Sequence, residues 1–368
     1  MRHLAALVAV AALLVGCSGG VPQRSSDDTP ADASTGPRAA EGPRGARGPH
    51  VVDTVVTGLA VPWGIAFLPD GTALVSERDT ARILAVEDGR VRTVGRFDAA
   101  APQGEAGLLG LAVSPTYRRD HLVFAYVSTA VDNRVVRMEY DGQRLGPPRV
   151  VLSGIPNGYI HDGGRLLFGP DGFLYVSTGE TGQGELAQDP ASLGGKILRI
   201  TPDGDPAPGN PRPGSPVWTL GHRNVQGLAF DAHDRLWATE FGEDTWDELN
   251  RIEKGANYGW PLVEGRGGSP RFRDPLAQWR TDEASPSGLA YLDGYLWAGA
   301  LRGERLWRIG VHPDGTIGSP QDFFVGDYGR MRSVAVAPDG HLWVTTSNRD
   351  GRGDPAPGDD RILEVAPG

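Results

Sequence analysis

The strongest constraint on this chain is a repeat. A short apolar run, a Pro-Asp-Gly-type turn and a second β-rich run follow one another six times. The stretch from Ile160 to Glu180 shows the unit whole: Leu166-Leu167-Phe168, the turn Gly169-Pro170-Asp171-Gly172, then Phe173-Leu174-Tyr175-Val176-Ser177. Two brief β-type runs around such a turn read as a hairpin. The other copies begin at Ile65-Ala66-Phe67, Leu111-Ala112-Val113, Leu228-Ala229-Phe230, Leu289-Ala290-Tyr291 and Val334-Ala335-Val336. A second series runs out of phase with the first, as Arg82 to Val86, Arg134 to Met138, Lys196 to Ile200, Glu248 to Ile252, Arg305 to Ile309 and Arg361 to Val365. Both series recur at roughly fifty to sixty residues, a spacing that marks repeat architectures.

Each unit thus supplies three strands, and a fourth follows, as in Arg90 to Phe97 or Pro216 to Leu220. The prediction is an all-β, six-bladed β-propeller with four-stranded antiparallel blades. The last unit stops at Val365 without a fourth strand. Val51 to Val56, ahead of the first unit, is the spare strand that completes it and closes the ring. An open β-sandwich array is the competing architecture. The 53 glycines and 30 prolines suit a fold with this many tight turns.

Up-and-down blades send the loops before the first strand and those between the second and third to one face. That places His161, Glu180, Arg223, Asn224, Gln226, Glu240, Arg302, Arg330 and Arg332 together. The opposite face carries mostly Pro-Asp-Gly turns. Four arginines converging on one face of a chain with net charge −10 point to an anionic ligand, because guanidinium pairs bidentately with carboxylate or phosphate. The bland reading is that each arginine braces a neighbouring loop. His161, flanked by glycines and close to Arg165 and Glu180, is a candidate general base. The acidic loop Glu240-Phe241-Gly242-Glu243-Asp244 offers the oxygen ligands that hard cations take. The net negative charge argues against nucleic acid as a partner.

Ahead of the repeats, Arg2 and the apolar run Leu4 to Val15 read as a secretory signal. The run ends in Leu14-Val15-Gly16-Cys17, which resembles a bacterial lipobox, against the alternative of an ordinary signal peptide. The expected organisation is a lipoprotein signal over 1–17, a disordered linker over 18–48 and the propeller over 49–368. Lipid anchoring at the extracytoplasmic face of the cell membrane follows from it. Cys17 is the sole cysteine, so no internal disulfide forms.

Several segments resemble the glucose/sorbosone dehydrogenase family. They are Gly221-His222-Arg223-Asn224-Val225-Gln226-Gly227-Leu228, Glu240-Phe241-Gly242-Glu243, Asp247-Glu248-Leu249-Asn250 and Gly255-Ala256-Asn257-Tyr258-Gly259-Trp260-Pro261, with further matches from Val51 onward. The resemblance implies a six-bladed propeller dependent on pyrroloquinoline quinone (PQQ) and calcium, oxidising an aldose and passing electrons to an external acceptor. It implies His161 as catalytic base, with Glu180 where an Asp is usual, and Arg223 as a further catalytic group. Arg223, Asn224, Gln226, Arg330 and Arg332 match cofactor contacts, Arg302 falls where a Lys is common, and Gly242 and Glu243 match carbonyl ligands of calcium. Val225 and Glu243 replace prolines, Phe241 replaces a polar residue, and Ile160 replaces an Asp found in some members. A non-catalytic carbohydrate- or protein-binding propeller and a metal-dependent lactonase are the alternatives.

Overall fold

The computed structural model describes residues 48–368. The signal, Cys17 and the linker as far as residue 47 lie outside the described residues. The chain forms six four-stranded antiparallel sheets, five of them in simple meander order. The first blade runs Pro62–Phe67, Ala73–Glu77, Arg82–Glu87 and Arg90–Arg96, and the next four follow the same plan. The sixth is the exception that closes the ring. Met331–Val336, Leu342–Thr346 and Ile362–Ala366 take their outer strand from His50–Val56 at the other end of the chain. His50 pairs with Ala366 and Val51 with Val365, so the spare strand does what its position in the sequence predicts.

The turns on the far face explain themselves locally. In Asp70, Asp171 and Asp339 the side chain accepts the backbone N–H two residues on, at 3.0, 3.1 and 3.0 Å. That is the Asx turn for which Pro-Asp-Gly is suited. Between blades the chain is held by apolar packing. The buried hydrophobics divide into six clusters, one at each junction between neighbouring blades. A middle strand therefore buries both faces, which is why Ala73–Glu77 and Lys196–Ile200 are buried at every position.

At the hub, hydroxyls stitch one blade to the next. The Ser76, Ser177 and Thr239 hydroxyls donate to the backbone carbonyls of Leu109, Val225 and Ser287, at 2.5, 2.8 and 2.7 Å. Ser333 donates to Trp63 across the point of closure. A rigid ring of inner strands results, and the loops above it are fixed at their roots. No helix among the described residues is long and apolar enough to cross a membrane.

Candidate active site

His161 occupies the loop that enters the third blade, in a left-handed conformation with φ of 58°. Such a backbone is uncommon outside glycine and needs support. The support comes from Glu105, whose Oε2 accepts the His161 N–H at 2.9 Å. Gly179 lies opposite: a Cβ there would stand 1.8 Å from the His161 carbonyl oxygen, so only glycine lets the two loops meet. His161 Nδ1 is hydrogen-bonded to Glu180 Oε1, and both side chains are almost wholly enclosed. In the neutral imidazole, an Nδ1–H donated to the carboxylate leaves the lone pair on Nε2.

Glu180 leads into the next part of the site, because its N–H donates to the Arg223 carbonyl at 3.0 Å. Asn224 Oδ1 accepts the Gly163 N–H at 3.0 Å, and its Nδ2 donates to Glu105 at 3.3 Å. Arg352 closes Glu105 from the other side at 2.7 Å. Burial would raise the Glu105 carboxyl, but Arg352 and the His161 N–H hold it below its usual range. Gln226 Oε1 receives Ser287 at 2.8 Å and Arg332 at 3.3 Å. Arg332 and Arg330 then share Asp350, at 3.2 and 3.0 Å. Burial would raise Asp350 too, but the two guanidiniums hold it below its ordinary value. One hydrogen-bonded sequence therefore runs from His161 to Arg332 over the top of the ring.

Arg223 sits at the side of this sequence. Its N–H is accepted by Glu240, its Nη1 donates to the Phe241 carbonyl at 3.3 Å, and its guanidinium lies 5.4 Å from the Trp260 ring. Arg302 stands apart on the fifth blade, exposed, with no hydrogen bond among the described residues. Gly242 and Glu243 lie in the loop beside Arg223. Four carboxylates surround that loop. Burial lifts Asp247 to about 7 and, with Glu240 close by, raises Glu248 as well. Glu264 is lowered instead, its partial burial outweighed by backbone donors.

The donor set suits a planar polyanion with a cation beside it. Arg223 Nε, Arg165 Nη2 and Trp260 Nε1 are buried without a protein partner, at a cost a ligand oxygen would remove. Arg165 stacks on Trp63 at 4.3 Å, and burial together with Arg332 draws its pKa to about 9. This surplus of positive charge calls for an anion. Sequence reasoning did not single out Glu105, Asp350, Arg352 or Trp63. All four lie in or beside the loops it assigned to this face, which was the available signal.

Asp162, next to His161, gives a prediction of its own. Its Oδ1 accepts from Asn133 at 2.9 Å and Gly158 at 3.1 Å, while Oδ2 has no partner. Burial, with the Glu105 charge adding to it, lifts its pKa from 3.8 to about 7. A carboxyl raised in this way binds more protons folded than unfolded, so its stabilisation is complete at low pH and is lost as pH rises through about 7. Asp162→Asn is expected to melt above the parent by a clearly larger margin at pH 8 than at pH 5, because the loss builds up between about 3.8 and about 7. Parallel melting curves with no pH-dependent gap would contradict the assignment.

Residues 59–354 match the glucose/sorbosone dehydrogenase family. The chain is 58% identical to the PQQ-bound aldose sugar dehydrogenase of Streptomyces coelicolor, covering 86% of this chain and 97% of that one, with a TM-score of 0.84. It is 28% identical to the aldose sugar dehydrogenase of Escherichia coli, over 86% of this chain and 92% of that protein. It is also 31% identical to the quinoprotein glucose dehydrogenase B of Acinetobacter calcoaceticus, over 57% of this chain and 52% of that protein. With the six closed blades and the arginine-rich face above them, these matches fix the classification: the chain belongs to the PQQ-dependent glucose/sorbosone dehydrogenase family.

Proposed function

We propose that this chain, an enzyme of the PQQ-dependent sugar dehydrogenase type, oxidises an aldose at its anomeric carbon to the lactone, with His161 as general base. The observation that carries the reading is the His161–Glu180 pair. Glu180 holds the imidazole through Nδ1, so Nε2 is the atom that takes the proton from the anomeric hydroxyl. Arg223, Asn224, Gln226, Arg330 and Arg332 would hold PQQ, and the exposed Arg302 is available to it as a further anion contact. The Gly242 and Glu243 carbonyls would hold calcium. When bound, the pair supplies a hydride acceptor made more electrophilic by the cation. Arg223 is placed among residues of this face to stabilise negative charge that develops there. The two electrons leave to an external acceptor.

The test is reconstitution. Protein freed of cofactor is mixed with PQQ and calcium and assayed for dye reduction against a panel of aldoses. Reduction is expected only with both additions and is expected to be suppressed by a chelator. Failure with every aldose would sink the reading.

Domain organisation belongs to the same proposal: a lipoprotein signal over 1–17, a linker over 18–48 and the catalytic propeller over 49–368. Cys17→Ala is expected to move the protein from the membrane fraction or to block processing. Unchanged fractionation would exclude the lipid anchor.

A further inference from the structure

Glu264 lies four residues beyond Trp260, on the loop after the family-like Asn257-Tyr258-Gly259-Trp260-Pro261 segment. Its Oε1 accepts hydrogen bonds from four successive backbone N–H groups. They belong to Glu243 at 2.8 Å, Asp244 at 3.2 Å, Thr245 at 3.0 Å and Trp246 at 3.1 Å. One carboxylate thus curls the segment 243–246 around itself.

The geometry of the peptide unit fixes what the other side of that segment presents. In a planar trans peptide the N–H of one residue and the C=O of the residue before it point in opposite directions. The N–H groups of Glu243 and Asp244 face Glu264, so the carbonyls of Gly242 and Glu243 face away from it. Neither carbonyl accepts a hydrogen bond from any described residue, although the neighbouring Phe241 and Asp244 carbonyls do. Two adjacent carbonyls turned the same way without a donor form the kind of oxygen pair a hard cation takes. Gly242 also has to be glycine here. A Cβ would stand 2.7 Å from Glu264 Oε1 and 2.0 Å from the Trp246 carbonyl oxygen.

We propose that Glu264 is a positioning residue for the cation site. It is a fixed anion inside the 243–246 turn that presents the Gly242 and Glu243 carbonyls to a hard divalent cation outside it. The proposal rests on the calcium reading given above. Charge acts in the same sense as shape. The carboxylate lies at the positive ends of the peptide dipoles and the cation at their negative ends, so each bridging peptide is favourably oriented toward both. A proline at position 243, which the family resemblance implies for other members, would remove the first of the four donors. A Glu at this position restores an N–H, and Glu264 uses it.

Two variants separate the contributions. Glu264→Gln keeps the size and an acceptor oxygen but removes the charge, and Glu264→Ala removes both. The readout is calcium affinity, measured by calorimetric titration of the cofactor-free protein and by the calcium-dependent rise in its melting temperature. Groups that hold metal ligands in place typically contribute about 10–100-fold in metal affinity. The half-saturating calcium concentration is expected to rise about 10-fold for Gln and toward about 100-fold for Ala, with the calcium-free Gln variant melting near the parent.

A purely structural role would lower the calcium-free melting temperature and leave calcium affinity unchanged, and that result would overturn the proposal. If the Ala variant does not fold, the Gln variant decides on the same criterion. Parent protein that binds no calcium would overturn the calcium reading itself, and the role of Glu264 with it. Parent protein that binds calcium with a parent-like Gln variant overturns only the role of Glu264.

Discussion

Replacing His161 by alanine will lower sugar turnover by ~10²–10⁴-fold, the usual contribution of a positioned general base, and will leave PQQ binding near that of the parent. The imidazole is oriented by a carboxylate behind it, through the Nδ1–Glu180 hydrogen bond, which leaves Nε2 as its proton-accepting atom. The loop survives its loss, because Glu105 binds the backbone N–H of residue 161 and not its side chain. Arg330 and Arg332, proposed above to meet the cofactor, are held by Asp350, Gln226 and Ser347, none of which touches the imidazole. The measurement is kcat with saturating PQQ and calcium beside a PQQ titration of the same variant. Near-parent turnover would reduce His161 to a structural residue of its loop. Loss of PQQ binding together with turnover would show that it holds cofactor instead.

Arg332→Ala will weaken PQQ binding by ~2–5 kcal/mol, the cost of removing one partner of a desolvated charge pair. In dissociation constant that is about thirty-fold to several thousand-fold. Arg332 is buried, and its surroundings strain its charge. Burial, with Arg78 and Arg330 nearby, draws its pKa down to about 10 against the opposing carboxylates of Asp350 and Glu105. An anion that enters this face relieves that strain, which is where the affinity comes from. Asp350 keeps Arg330 in the variant, so the loop carrying it stays anchored and the fold survives. Fluorescence titration with PQQ checks the affinity, and circular dichroism checks the fold. Parent-like binding would place the cofactor's carboxylates elsewhere.

The architecture was legible in the sequence because a propeller writes the same instruction many times. Each Pro-Asp-Gly turn closes by a contact between neighbours two residues apart, and the middle-strand runs are apolar because both their faces are buried between blades. The closing strand was legible as well, since Val51 to Val56 had no other blade to join. Loop phase was enough to put His161, Glu180, Asn224, Gln226, Arg330 and Arg332 on one face, and the hydrogen bonds join them there.

What loop phase does not encode is partner choice between distant loops. Glu105 meets His161 across 56 residues and Arg352 across 247, and no local pattern announces such a pairing. Asp350 was hidden for the same reason, inside a loop that reads only as polar and glycine-rich. Glu264 was hidden differently. Its role depends on the direction of four backbone N–H groups, which is a property of conformation and not of residue type. Arg302 shows the converse, a residue read from its position in the repeat whose side chain the fold leaves exposed and unpaired among the described residues.

The most direct test of the central claim is a single turnover without an electron acceptor. Protein reconstituted with PQQ and calcium is mixed with excess aldose, and the absorbance of the bound cofactor is followed alongside lactone formation. The account predicts one equivalent of cofactor reduced and one equivalent of lactone formed per chain, with the same step slowed at least a hundredfold, the lower end of the ~10²–10⁴ range, in His161→Ala. Lactone without cofactor reduction, or cofactor reduction at the parent rate in His161→Ala, would contradict it.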